Sequence, residues 1–172
     1  MDEPARAQGV DDVTALLVGL YPQLVATLRM YNGNAAMAED VAQEALARAW
    51  ERREQLEVMT DPRSWVFRVA MNRVRSLHRR LRLELRYSGA SRNDVRGDST
   101  LEMLEDTLVI RAALGKLPRR QCSAIALRYY GDLSVEETAK VMGCAQGTVK
   151  ALTSQALATL RSQLGGESDG TR

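Results

Sequence analysis

The residues of this sequence best suited to chemistry are arginines. Ten of them (Arg63, Arg68, Arg73, Arg75, Arg79, Arg80, Arg82, Arg86, Arg92 and Arg96) face only two carboxylates, Glu84 and Asp94, so residues 63–96 carry a local charge of +8. A guanidinium stays charged near neutrality and donates in a fixed fork, so such a block suits a polyanion, most simply nucleic acid. A solvated arginine-rich helix face fits the same composition. A second basic stretch, residues 116–161, holds seven bases against three acids, and the acidic residues 97–115 lie between the two. Residues 1–62 carry −6, which leaves the 172-residue chain at only +2. Bond-making chemistry has few candidates. One histidine, His78, and two cysteines, Cys122 and Cys144, are too few for a zinc cluster or a disulfide framework. Both cysteines read as small buried residues. No catalytic residue, metal or cofactor is expected, and the chain is not expected to be an enzyme.

The elements that must carry these residues are helical throughout. Apolar positions recur at helical spacing and strand-like alternation is absent, which predicts an all-α fold. Val13, Leu16, Leu17 and Leu20 form one stripe, and Pro22 opens a second helical piece continued by Leu24, Val25 and Leu28. Gly33 is placed to cap that unit. A helix over 35–53 follows, with Val41, Ala45, Ala49 and Trp50 inward and Glu39, Asp40, Glu44, Arg48 and Glu51 toward water. Asp61-Pro62 reads as the N-cap and first turn of a third helix reaching about residue 86. Its inward positions are Trp65, Val66, Val69, Ala70, Val74, Leu77 and Leu81.

Residues 87–100 have the Ser, Gly, Asn and Asp content of a flexible linker, so the chain divides into two small helical domains, 10–86 and 101–164, with a disordered tail at 165–172. In the second domain, a short helix through Leu101, Leu104, Leu108, Ala112 and Leu114 precedes one over 119–130, where Cys122, Ile125, Ala126 and Tyr129 point inward. Ser134-Val135-Glu136-Glu137 is a capping box, Gly143 turns the chain, and a last helix starts near Gly147. Helix, short glycine turn, helix is the helix-turn-helix pattern. No apolar run of about eighteen residues is evident and the first residues are acidic. A cytoplasmic protein without membrane insertion is expected.

Four motifs carry a resemblance. Ser134-Val135-Glu136-Glu137-Thr138-Ala139 with Gly147-Thr148-Val149-Lys150 resembles the S-x-E-E-I-A … G-T-V-K signature of helix-turn-helix DNA binders, shared by response-regulator output domains and sigma factors. Leu114-x-x-Leu117-Pro118, followed by Leu127-Arg128, resembles the L-x-x-L-P … L-R entry to the sigma-factor domain. Ala38-Glu39-Asp40-x-x-Gln43-Glu44 with Arg48-Ala49-Trp50 resembles the A-E-D-x-x-Q-E … R-A-W helix of bacterial sigma factors, which output domains lack. Trp65-Val66-x-x-Val69-Ala70-x-Asn72, with Arg79-Arg80, is similar to the family's W-L-x-x-I-A-x-N … R-R. Together they run from about residue 20 to 164, and the chain resembles a two-domain extracytoplasmic-function sigma factor.

The resemblance implies binding to core RNA polymerase and promoter-directed transcription initiation. It implies polymerase contacts at Glu39, Asp40, Gln43 and Glu44, and minus-ten contacts at Trp65, Arg68, Asn72, Arg73, Arg79 and Arg80. Minus-thirty-five contacts fall to Arg119, Arg120, Arg128, Gln146, Thr148 and Lys150. Capture of a flipped base would involve the loop around 56–60, and Trp65 is either core or a stacking platform. An anti-sigma protein is a further partner the resemblance suggests. Leu152, Gln155 and Leu157 stand where relatives usually carry arginines, Met37 where an acid is common and Ser76 where an aspartate is common. That departure leaves two other readings: a stand-alone helix-turn-helix regulator, or a protein-binding adaptor using Leu152 and Leu157.

Overall fold

A computed structural model describes residues 3–88 and 105–165, and among them only helices and connecting turns occur. Tyr87 and Ser88, expected in the linker, are helical, while residues 89–100, the tail beyond Gly165, Leu101 and Leu104 lie outside the described residues. The order is α1 (Glu3–Asn32), α2 (Ala35–Glu51), α3 (Arg53–Glu57), α4 (Pro62–Ser88), α5 (Glu105–Lys116), α6 (Arg119–Ile125), α7 (Val135–Met142) and α8 (Gln146–Gly165). A π-helical turn, Ala126–Tyr130, continues α6.

Helix α1 is continuous through Pro22, against the expectation of two pieces. The proline deprives the carbonyl of residue 18 of its donor, but Val18 is 69% exposed, so water can satisfy that oxygen. Val13, Leu17, Leu20, Leu24 and Leu28 make its buried stripe. The segment Asp12–Asn32 is long and apolar enough to cross a bilayer by length and composition, contrary to the expectation that no such run exists. Here that stripe packs into the protein core. Gly33, at φ 78°, turns the chain out of α1, and Asn34 Oδ1 accepts from the Met37 amide at 2.9 Å to open α2.

Helix α2 turns Ala38, Val41, Ala42, Ala45 and Ala49 inward, and four alanines let it approach α1 closely. Trp50 lies one residue off that stripe and is exposed, with the Arg53 guanidinium 5.3 Å from its ring centroid. Its expected inward place belongs to Ala49. Asp61 caps α4 as expected, accepting from the Ser64 amide at 3.0 Å. Val66, Ala70 and Val74 are buried on α4, while Trp65, Val69 and Leu77 pack half-buried at the core edge. Phe67, Met71 and His78 are buried as well, so the inward stripe is shifted from the one expected.

The two halves share cores. Leu127, Leu133 and Val141 join the α1–α2–α4 core, and Met30 and Tyr31 of α1 pack against a second core of Leu114, Leu117, Cys122, Ile125 and Ala156. Gly131 sits at the closest approach. A Cβ there would lie 2.8 Å from the Leu127 carbonyl oxygen, 3.0 Å from the Phe67 ring and 3.1 Å from Thr27 Oγ1, so only glycine fits without movement. The π turn accounts for Tyr129, expected inside but 58% exposed. The extra residue in that turn moves Leu127 into the core and Tyr129 out of it. Cys122 is buried and Cys144 only half-buried, so the expectation holds for the first alone.

Candidate functional site: an acidic helix and two basic faces

Helix α2 presents Glu39, Asp40 and Gln43 to solvent. Glu44, expected beside them, is turned elsewhere: Oε1 accepts from Arg48 Nη2 and Oε2 from Arg73 Nε, each at 2.6 Å. It therefore ties α2 to α4 and neutralises part of the face to which Arg73 was assigned.

On α4, Arg68, Asn72, Arg79 and Arg80 are exposed, with Arg80 paired to Glu84 at 2.9 Å. Asn72 Oδ1 accepts from Arg75 Nη1 at 3.3 Å. Trp65 packs half-buried against the core, with the Arg52 guanidinium 5.9 Å from its ring centroid. Leu56 is not part of a loop. It lies on α3 and is buried, whereas Val58, two residues on, is 85% exposed.

The helix-turn-helix is built as its sequence dictates. Ser134 Oγ accepts from the Glu137 amide at 3.1 Å and Glu137 Oε2 from the Ser134 amide at 2.6 Å, which closes the capping box. Gly143, at φ 63°, ends α7 in the left-handed conformation. Ala139 and Val149 are buried, so the small alanine allows α7 and α8 to come together. Gln146 and Lys150 are exposed at the start of α8 and Thr148 is half-buried. Arg120 is exposed as well. The structure takes the other two arginines of this set into contacts of its own: the Arg119 guanidinium lies 5.9 Å from the Tyr31 ring centroid, and Arg128 Nη1 donates to the Leu133 carbonyl. Two of the missing family arginines also have a local explanation. Leu157 packs against the second core, and Gln155 Oε1 accepts from Gln121 Nε2 at 3.3 Å.

Between the halves lies a set of groups that sequence reasoning missed. Arg63 Nη2 donates to the Gly131 carbonyl at 2.6 Å and to Gln23 Oε1 at 3.1 Å, and Nη1 lies 3.7 Å from Glu137 Oε1. Lys140 Nζ is 3.1 Å from Asp61 Oδ2 and 3.0 Å from Glu136 Oε1. Burial pushes the Asp61 carboxyl up, but the Ser64 amide and the Lys140 ammonium outweigh it, so the group titrates below the usual range. The Glu136 and Asp61 carboxylates raise Lys140. Farther along, His78 Nε2 donates to Asn32 Oδ1 at 2.5 Å and its ring stacks on Tyr31 with centroids 6.2 Å apart. Desolvation, with the Arg119 and Arg82 charges, pushes His78 down to about 4. In sequence, Arg63 was one of ten arginines and nothing about its position marked it apart. Among the described residues, no three His, Cys, Asp or Glu side chains group in a way that could hold a metal ion.

Comparison with known proteins agrees with these elements. The family model for sigma-70 region 2 matches residues 16–84, and that for sigma-70 region 4 matches residues 107–160. The ECF RNA polymerase sigma factor SigL of Mycobacterium tuberculosis is 34% identical over 166 residues, covering 91% of this chain and 94% of that protein. The ECF RNA polymerase sigma factor EcfG of Rhodopseudomonas palustris is 31% identical over 159 residues, covering 90% and 83%. Among solved structures, the sigma factor RpoE from Bartonella quintana, in complex with the anti-sigma factor NepR, superposes with a TM-score of 0.77 at 27% identity, covering 92% of this chain and 98% of that one.

Proposed function

The chain belongs to the extracytoplasmic-function sigma factors of bacterial RNA polymerase, and from that premise we propose how its faces divide the work of transcription initiation. Helix α2 docks on core polymerase through Glu39, Asp40 and Gln43, an acidic and amide-bearing patch whose charge guides the encounter. Helix α4 holds the minus-ten element: Arg68, Arg79 and Arg80 neutralise phosphates, and Asn72 carries both a donor and an acceptor for a base edge. Helix α8 enters a major groove with Gln146, Thr148 and Lys150 at its leading end, and Arg120 takes a flanking phosphate. The work is binding and strand separation, without bond-making, and its place is the cytoplasm, with polymerase and chromosome. A protein inhibitor is a further partner, since relatives such as RpoE are solved with one.

The observation that carries this assignment is that Glu39, Asp40 and Gln43 of α2, Arg68, Arg79 and Arg80 of α4, and Gln146 and Lys150 of α8 remain open to solvent although the two halves are packed together. The adaptor reading loses support from Leu157, which packs internally. The test is a binding and run-off transcription assay with purified core polymerase. Wild-type protein should bind core and start transcription at specific sites, and Asp40→Ala with Gln43→Ala should abolish both. Failure of the wild-type chain to bind core would falsify the proposal.

A further inference from the structure

The exposed side of α8 is poor in charge for a helix that enters a DNA groove. Its solvent-facing stripe begins with Gln146, Gly147, Lys150, Ala151, Ser154 and Gln155. Lys150 is the one cation among them, and Arg161 follows about 22 Å beyond Gln146 at about 1.5 Å per residue. The helix holds no carboxylate. A stripe with one cation gains little from phosphates, so what it adds to recognition has to come from base edges.

The leading end of α8 carries a group suited to one base. Gln146 is exposed, and among the described residues nothing bonds its carboxamide. Gln155, the other glutamine of the stripe, has its Oε1 committed to Gln121 Nε2. Gln146 therefore offers donor and acceptor together. In the major groove adenine presents an acceptor at N7 beside a donor at N6, which pairs with both atoms of a free carboxamide. Guanine presents two acceptors there, so Oε1 would face one of them unpaired.

Gly147 has no function inside the protein that explains it. Its backbone is helical, where glycine is less stable than alanine, and a Cβ built on it meets nothing within 4 Å. Neither backbone conformation nor packing requires glycine at this position. Its missing side chain leaves room for the surface of a partner, directly beside Gln146.

We propose that Gln146 is the specificity-determining residue of α8, reading an adenine in the promoter element that α8 occupies, and that Gly147 lets the helix come close enough for it to do so. The inference rests on the assignment of α8 to a promoter element. Lys150 supplies a phosphate contact, and the positions of Leu152, Gln155 and Leu157 then need no arginine, because this helix discriminates by a neutral fork.

The test uses full-length chain with core polymerase and a pool of randomised DNA duplexes from which bound molecules are recovered and sequenced. Wild-type holoenzyme should select an upstream element with a fixed adenine. Gln146→Arg should turn that one position to guanine, whose two acceptors suit a guanidinium, and Gln146→Ala should accept all four bases there. On single duplexes, adenine replaced by guanine should weaken wild-type binding about tenfold and strengthen binding of the arginine variant. Gly147→Ala should keep its thermal stability and bind the selected duplex severalfold more weakly. An upstream element unchanged in Gln146→Arg, or wild-type affinity in Gly147→Ala, overturns the inference while leaving the sigma-factor assignment in place. A wild-type holoenzyme that selects no upstream element overturns the assignment of α8 itself.

Discussion

Arg73 of α4 and Glu44 of α2 are joined at 2.6 Å, Nε to Oε2, so one carboxylate of α2 holds an arginine of α4. The same carboxylate binds Arg48 through its other oxygen. Glu44 thereby ties α2 to α4.

That relationship separates Glu44 from its neighbours. With side-chain exposures of 33% and 38%, the Glu44–Arg73 pair should show a coupling of about 0.3–1 kcal/mol in a double-mutant cycle of Glu44→Ala and Arg73→Ala read by urea unfolding. Core-polymerase affinity should fall about tenfold or more in Asp40→Ala, roughly 1.4 kcal/mol, and much less in Glu44→Ala. Equal losses in the two variants would return Glu44 to the polymerase patch.

Gly131→Ala should destabilise the protein by about 1–3 kcal/mol, because the added methyl meets a backbone carbonyl, the Phe67 ring and Thr27 together. Gly147→Ala is the contrasting case: its Cβ meets nothing within 4 Å, so stability should hold or rise. Thermal unfolding of the two variants side by side reads the difference, and a neutral Gly131→Ala would show that the halves can separate by the width of a methyl group without loss.

His78 makes stability depend on pH. Its folded-state value is lowered from 6.5 to about 4, so the unfolded chain takes up a proton in that interval and the folded chain does not. The contribution is complete above about pH 6.5 and is lost progressively as pH falls to 4, amounting to roughly 3 kcal/mol. Urea unfolding at pH 7, 5.5 and 4.5 should show this decline, and His78→Gln should flatten it. An unchanged slope in that variant would place the sensitivity elsewhere.

Two arginines assigned to DNA by resemblance should part company in their salt dependence. Arg79 is exposed, and Arg79→Ala should weaken holoenzyme binding to promoter DNA while reducing the slope of log K against log salt by about 1. Arg128 donates to the Leu133 carbonyl, so Arg128→Ala should lower thermal stability and leave the slope unchanged. A slope change in the second variant would mean that Arg128 leaves its carbonyl for a phosphate.

Much of the fold could be read in the sequence because the signals are local. Asp61-Pro62, the Ser134–Glu137 box and Gly143 each act within four residues and stand where expected. Helical spacing located α2 and α4 and most of their inward positions, but not Phe67 and Met71, which pack in one core with Leu127, more than fifty residues away. For the same reason the ten arginines could be counted but not sorted. What distinguishes Arg63, Arg73 and Arg79 is the partner each one meets: a distant carbonyl, a carboxylate on another helix, and solvent. Tyr129 was misplaced because a regular helical period was extended through a turn of a different pitch.

That turn changes the angular phase of a single rod. Up to Ile125 the rod faces Leu114, Leu117 and Ala156; two residues later Leu127 faces the α1–α2–α4 core. Residues two apart on a helix lie about 200° around its axis, so Ile125 and Leu127 face opposite neighbours. Seven residues of helix and five of π turn thus address two different cores, with no additional helix between them.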